Sequence, residues 1–143
     1  MMAPDLERVV EQYHQAVDEI VKGSADGFRR AYSRRDDVTL ANPFGPPARG
    51  WEQVEQTLER AASQMRDGVL TGVERIVTAM TVELAYIIEI ERGQTKLGDR
   101  DDITPYSLRV TTIFRPEEGT WKVVHRHADP ITTPRPAESL IQP

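Results

Sequence analysis

Between Asp5 and Lys22 apolar side chains return every three or four positions. Leu6, Val9, Val10, Tyr13, Val17, Ile20 and Val21 fall on one side, and Glu7, Arg8, Glu11 and Lys22 on the other. This spacing predicts an amphipathic helix that starts after Pro4-Asp5 and ends at Gly23. Ser24 is placed to cap a second, shorter helix that turns Phe28, Ala31 and Tyr32 inward. "VTLANP" (Val38–Pro43) predicts a short strand, stopped by Pro43 and the turn-rich "FGPPARG". Trp51, Val54, Leu58, Ala61, Ala62 and Met65 mark a third helix.

From Gly68 the pattern changes to strands. "VLTGVERIVTAM", "VELAYIIEIE", "PYSLRVTTIFR" and "TWKVVHRHA" are rich in β-branched and aromatic residues. "RPEEGT" predicts a hairpin turn between the last two, and "RGQTKLGDRDDI" (Arg92–Ile103) a charged loop at the sheet edge. Residues 1–130 are expected to form a single domain, and residues 131–143 a Pro-rich tail on its surface. Three N-terminal helices followed by a four- or five-stranded antiparallel sheet is an α+β arrangement. A strongly curved sheet partly covered by a long helix encloses a cone-shaped pocket. Its other face is free for a second copy, so a homodimer is expected.

Composition narrows the class. The 143 residues are 38% hydrophobic and 29% charged, which suits one soluble domain with a real core. A net charge of −5 argues against a nucleic-acid partner, which needs clustered Lys and Arg. No cysteine is present, so thiolate chemistry and disulfides are excluded. Neither a signal-peptide pattern at the N-terminus nor an apolar run of membrane-spanning length is found, and the expectation is a cytoplasmic protein without a membrane partner.

"TWKVVHRHADP" (Thr120–Pro130) holds two of the three histidines. Strand alternation predicts Trp121, Val123, His125 and His127 on one face. A four-residue hairpin loop sets Arg109 opposite Arg126. A five-residue loop instead sets Arg109 opposite His127 and Thr111 opposite His125, a cationic, hydrogen-bonding wall. Both registers are compatible with the sequence. His-x-His offers only two imidazoles to a metal, an incomplete ligand set, so no metal site and no cofactor are expected. His127 has the chemistry of a general acid/base, with Asp129 or Arg109 to orient it. The plainer expectation is a polar pocket wall or a subunit interface.

Other candidates surround a pocket. Asn42, Phe44 and Trp51 flank the "PFGPPARG" turn and are candidates for its mouth, although the Gly and Pro content favours turn chemistry and core packing for them. Tyr86 alternates with Glu89, which is expected either at a subunit surface or buried against Arg109 or Arg126, because a buried acid needs a partner. His14 is expected on a solvated helix face.

These stretches resemble the nuclear transport factor 2-like superfamily, in particular its SnoaL-like and ketosteroid-isomerase-like branch. The resemblance is carried by "YHQAV" (Tyr13–Val17), "ADGFRRAY", "VTLANPFGPPARGWEQV" (Val38–Val54) and "LRVTTIFRPEEGTWKVVHRHADP" (Leu108–Pro130). The last also looks like the terminal hairpin of kinase association domains. The resemblance implies a cystatin-like α+β roll. In the steroid isomerases of this branch an aspartate precedes the proline where this chain has Asn42-Pro43. A neutral carboxylic acid on the penultimate strand works with a helix tyrosine. Tyr13 matches the tyrosine, but Asn42 is an amide and Ser107–Phe114 holds no acid, so steroid isomerase activity is not expected. Three functions are compatible with this pattern. The first is a pocket for a small apolar molecule with an anionic or carbonyl group, walled by Arg109, Thr111 and His127, with Tyr13 and Asn42 opposite. The second is a cyclase, isomerase or lyase using His127 as base and Tyr13 as oxyanion donor. The third is a non-catalytic assembly module.

Overall fold

The structure, a computed structural model, describes residues 4–142. The three helices predicted from apolar spacing are present as α1 (Pro4–Ile20), α2 (Asp26–Ala31) and α3 (Trp51–Ser63). Their apolar stripes are the buried positions, among them Leu6, Tyr13 and Val17 on α1, Phe28 on α2, and Val54 and Leu58 on α3. Gly23 takes φ +99° just past α1, a conformation that favours glycine, and turns the chain toward α2. Met65 opens a strand rather than closing α3.

The strands are β1 (Thr39–Ala41), β2 (Ala48–Arg49), β3 (Met65–Met80), β4 (Ala85–Leu97), β5 (Thr104–Glu117) and β6 (Thr120–Asp129). They form one sheet in the order β2-β1-β6-β5-β4-β3. The fold is α+β as expected, but the sheet is not wholly antiparallel, because β1 runs parallel to β6. No hairpin joins that pair: β1 follows the helices, so nothing forces it to run antiparallel. A short 3-10 turn (Ala137–Leu140) lies in the exposed tail.

Curvature comes from the long β3–β4 hairpin, whose register shifts three times, between Arg66 and Val69, Leu70 and Gly72, and Arg75 and Val77. Each such irregularity bends and twists the pair. The concave face carries the alternating buried residues Ala85 and Ile87, then Val110, Thr112 and Phe114, then Trp121 and Val123. β4 runs on to Leu97, so the first half of the expected charged loop is strand, and Gly93 and Thr95 are buried. This part hid from the alternation test because its inward residues are glycine and threonine, not apolar.

The β5–β6 hairpin departs from both expected registers. Its turn has only two residues, Glu118 (φ 54°) and Gly119 (φ 83°), between the paired Glu117 and Thr120. Two consecutive positive φ angles are the signature of the type I′ turn, whose twist matches that of the strands it joins. Farther along, Phe114 pairs with Val123 but Ile113 pairs with His125, leaving Val124 as an extra residue. This bulge reverses the alternation of β6. Trp121 and Val123 before it, and Arg126 and Ala128 after it, are buried on the concave side. The expectation that Trp121, Val123, His125 and His127 share a face is therefore corrected: both histidines stand on the convex face. Arg109 pairs with Asp129 and Thr111 with His127.

Candidate functional site

Between the helices and the concave face lies a cavity of about 180 Å³. The α1 stripe supplies Val17, Ile20 and Val21, α3 supplies Leu58 and Ala61, and Phe28 and Leu40 fill one side. Asn42, Pro43 and Phe44, from the turn after β1, and Pro130, just past β6, stand at the mouth. The Phe44 N–H donates to Asn42 Oδ1 at 3.0 Å, a local turn that leaves the Phe44 ring 54% exposed.

The wall of this apolar chamber also carries polar residues from the sheet. Glu91 (β4), Thr95 (β4), Tyr106 (β5) and Arg126 (β6) all line it. Arg126 donates from Nη1 and Nη2 to the two carboxylate oxygens of Glu91, at 2.7 and 2.8 Å. The fork geometry of a guanidinium matches a carboxylate in this way, and each charge satisfies the other where water is excluded. Arg126 also donates to Tyr13 Oη, and Tyr13 Oη lies 2.6 Å from Thr112 Oγ1. Burial opposes the Arg126 charge, but Glu91 and Tyr13 outweigh it and hold the guanidinium protonated. Burial likewise pushes the Tyr13 hydroxyl far above its ordinary range, so it is a neutral phenol that supports Arg126 from behind. Thr95 Oγ1 donates to the Val21 carbonyl at 3.0 Å and pins the end of α1 to β4.

Tyr106 lies opposite Gly93 in the β4–β5 pairing, and its ring covers that glycine. A Cβ at position 93 would come within 2.5 Å of the Tyr106 hydroxyl oxygen and 2.6 Å of the carbon that bears it. The glycine is the notch that lets the ring lie flat against the sheet. The hydroxyl oxygen is buried and has no hydrogen-bond partner among the described residues. Burial first, and then the nearby Glu91 charge, push its pKa up to about 12.

The candidate residues from the sequence divide between the two sides of the sheet. Asn42 and Phe44 line the cavity. Tyr13 lies behind the cavity's polar residues, bonded to Arg126. Trp51 stands outside, stacked near Tyr32 and under the Arg34 guanidinium. Five others gather on the convex face. Thr111 and His127 are cross-strand partners next to Ile88; Tyr86, Ile113 and His125 form the adjacent row; Arg109 pairs with Asp129. There Arg109 Nε donates to both Asp129 oxygens, at 2.8 and 3.0 Å, and His127 Nε2 lies 3.4 Å from Asp129. His125 Nδ1 sits 2.7 Å from Thr39 Oγ1. Burial and then the neighbouring His127 lower the His125 pKa.

Glu89 is buried, but its partners are neither Arg109 nor Arg126, which lie elsewhere. His14 Nε2 is 2.8 Å from one carboxylate oxygen, and Arg75 Nε donates to the other at 2.6 Å. His14, expected in solvent, is thus tied down. Burial works to raise the Glu89 pKa, yet the His14 and Arg75 contacts bring it below the usual carboxylate range. Among the described residues no three His, Asp or Glu side chains gather in metal-ligating geometry.

Comparison with known proteins places this geometry. The SnoaL-like domain family matches residues 6–132. The chain belongs to that family. Solved structures similar to this SnoaL-like domain include a ketosteroid isomerase-like protein from Erwinia carotovora atroseptica, at 16% identity and a TM-score of 0.74, covering 90% of this chain and 95% of that one. A nuclear transport factor 2-like superfamily protein from Salmonella enterica serovar Typhimurium matches at 12% identity and a TM-score of 0.74, over 92% of each chain. A protein with a cystatin-like fold from Caulobacter vibrioides matches at 15% identity and a TM-score of 0.66, over 94% and 91%. At these identities the likeness shows the fold alone. No curated protein matches the chain.

Sequence reasoning missed the cavity's polar residues in this SnoaL-like domain. Glu91 carried a usable signal, since it shares the parity of the buried Ala85, Ile87 and Glu89. Arg126 carried none, because the bulge at Val124 alone turns it inward.

Proposed function

We propose that this SnoaL-like domain binds a small, largely apolar molecule carrying a carbonyl or anionic group, and that it works without the steroid isomerase carboxylates. One observation carries the reading: an apolar chamber whose wall includes Glu91, Arg126 and Tyr106. Its volume of about 180 Å³ suits a single substituted ring, since an apolar cavity of about 150 Å³ takes up benzene. A few convergent polar groups in an apolar pocket are what a specific ligand site needs. This polar wall replaces the expected one of Arg109, Thr111 and His127.

The reading with His127 as base and Tyr13 as oxyanion donor has less support, because the sheet separates the two side chains. We propose further that the convex face pairs two copies. Val77 and Tyr86, at 37% and 38% exposure, support a homodimer there, with His125 and His127 in the interface. A cytoplasmic setting belongs to the same proposal; no helix among the described residues is long and apolar enough to cross a membrane.

The test is thermal melting against a panel of one-ring compounds. A ligand at 100 times its Kd stabilises by about 2.7 kcal/mol. At least one compound is expected to raise Tm in the native protein but not in Ala128→Leu, which fills the chamber. A panel that shifts neither protein counts against the cavity as a binding site.

A further inference from the structure

The buried polar side-chain atoms of the sheet residues that line the cavity are all satisfied except one. Arg126 and Glu91 answer each other, Tyr13 and Thr112 complete that chain, and Thr95 is bonded to the main chain. Tyr106 Oη alone among the buried polar side-chain atoms of the cavity lacks a partner among the described residues; Thr104 Oγ1, the other such atom, does not line the chamber. Buried polar atoms are nearly always hydrogen-bonded, so one left over on a side chain that lines a ligand-sized chamber points to what enters it. The position is also built rather than incidental, since the ring reaches it only because residue 93 has no side chain.

The charge of the ligand follows from the neighbours. Arg126 spends both terminal nitrogens on Glu91, so its positive charge is cancelled within 2.8 Å. An incoming anion would find no free cation here and would face the Glu91 carboxylate, and burying an unpaired charge is costly. A neutral oxygen meets neither penalty. The phenol keeps its proton at any physiological pH, held by burial and by Glu91, so toward a ligand it is a donor.

Building on the proposed ligand-binding role of the cavity, we infer that Tyr106 is its specificity-determining residue. Its hydroxyl donates to the oxygen of an uncharged one-ring carbonyl compound, and the cavity prefers such a compound to an acid of the same size.

The experiment is calorimetric titration of the native protein and Tyr106→Phe with acetophenone, ethylbenzene and benzoate. In the native protein acetophenone binds and benzoate binds at least about tenfold more weakly, the factor set by one unpaired buried charge. In Tyr106→Phe the acetophenone affinity falls roughly three- to tenfold, the worth of one hydrogen bond, while ethylbenzene is unchanged. The ethylbenzene arm also shows that the variant keeps its chamber. Acetophenone affinity that survives the substitution, or benzoate binding most tightly, overturns the Tyr106 assignment and leaves the cavity a ligand site. Failure of all three to bind the native protein overturns the cavity reading, and this inference with it.

Discussion

Arg126 on β6 grips Glu91 on β4 across the intervening strand, through paired hydrogen bonds of 2.7 and 2.8 Å, with both side chains shielded from water. Tyr13 on α1 and Thr112 on β5 extend the network from Arg126. The network therefore ties three strands to the long helix at the cavity wall. Removing one member leaves the other charged and buried. Glu91→Ala is expected to cost about 3–5 kcal/mol, whereas the double variant Glu91→Leu/Arg126→Met recovers most of that loss. Urea denaturation of both variants measures it; equal destabilisation of the single and double variants would contradict a buried, mutually satisfied pair.

Gly93 and Tyr106 give opposite expectations from adjacent positions. Gly93→Ala drives a methyl group into the Tyr106 ring at 2.5–2.7 Å, and overpacking of this kind costs about 1–3 kcal/mol. Tyr106→Phe instead removes a buried hydroxyl that has no partner, so the ligand-free protein should gain on the order of 1 kcal/mol. Differential scanning calorimetry distinguishes the two by the sign of the change in Tm. A lower Tm for Tyr106→Phe would mean that the hydroxyl is bonded in the folded protein.

Acid stability should report on Glu89. Its folded pKa lies below the ordinary carboxylate value, so in that range the unfolded chain binds the extra proton. The stability it contributes is complete above its unfolded pKa, about 4.3, and is lost as pH falls through the lower folded value. At pH 7, Glu89→Gln should be clearly less stable than the native protein, and the gap should narrow steadily below about pH 4. Melting curves from pH 7 to 3 provide the check, and a gap that widens on acidification would reverse the sign.

The convex face offers a test of self-association. Val77, Ile88, Thr111 and His127 form one cross-strand row, and Tyr86, Ile113 and His125 the next. Val77→Glu places a charge in this half-exposed surface without touching the cavity. Sedimentation should show a dimer for the native protein and a monomer for the variant, with ligand binding by the cavity retained. A native monomer at micromolar concentration would remove the dimer from the reading.

Much of this was legible along the chain. Apolar residues at helical spacing fixed α1, α2 and α3, and β-branched runs fixed most of β3 to β6, because burial of one face is dictated by local period. The Asn42-Pro43 turn was legible for the same local reason, while a lining role for Asn42 and Phe44 was only one of two readings left open by the sequence. Which side of β6 faces the cavity was not. That depends on a two-residue turn at Glu118-Gly119 and on one extra residue at Val124, and a single-residue slip exchanges every side chain between faces. Nothing in "KVVHRHA" marks the bulge. It exists because Arg126 can reach Glu91 and Tyr13 only when turned inward, and those partners lie 35 and 113 residues away. Local sequence determined the elements and their apolar faces. The long-range pairing of buried charges decided which residues meet in the cavity, since the cost of leaving such a charge alone exceeds any local preference.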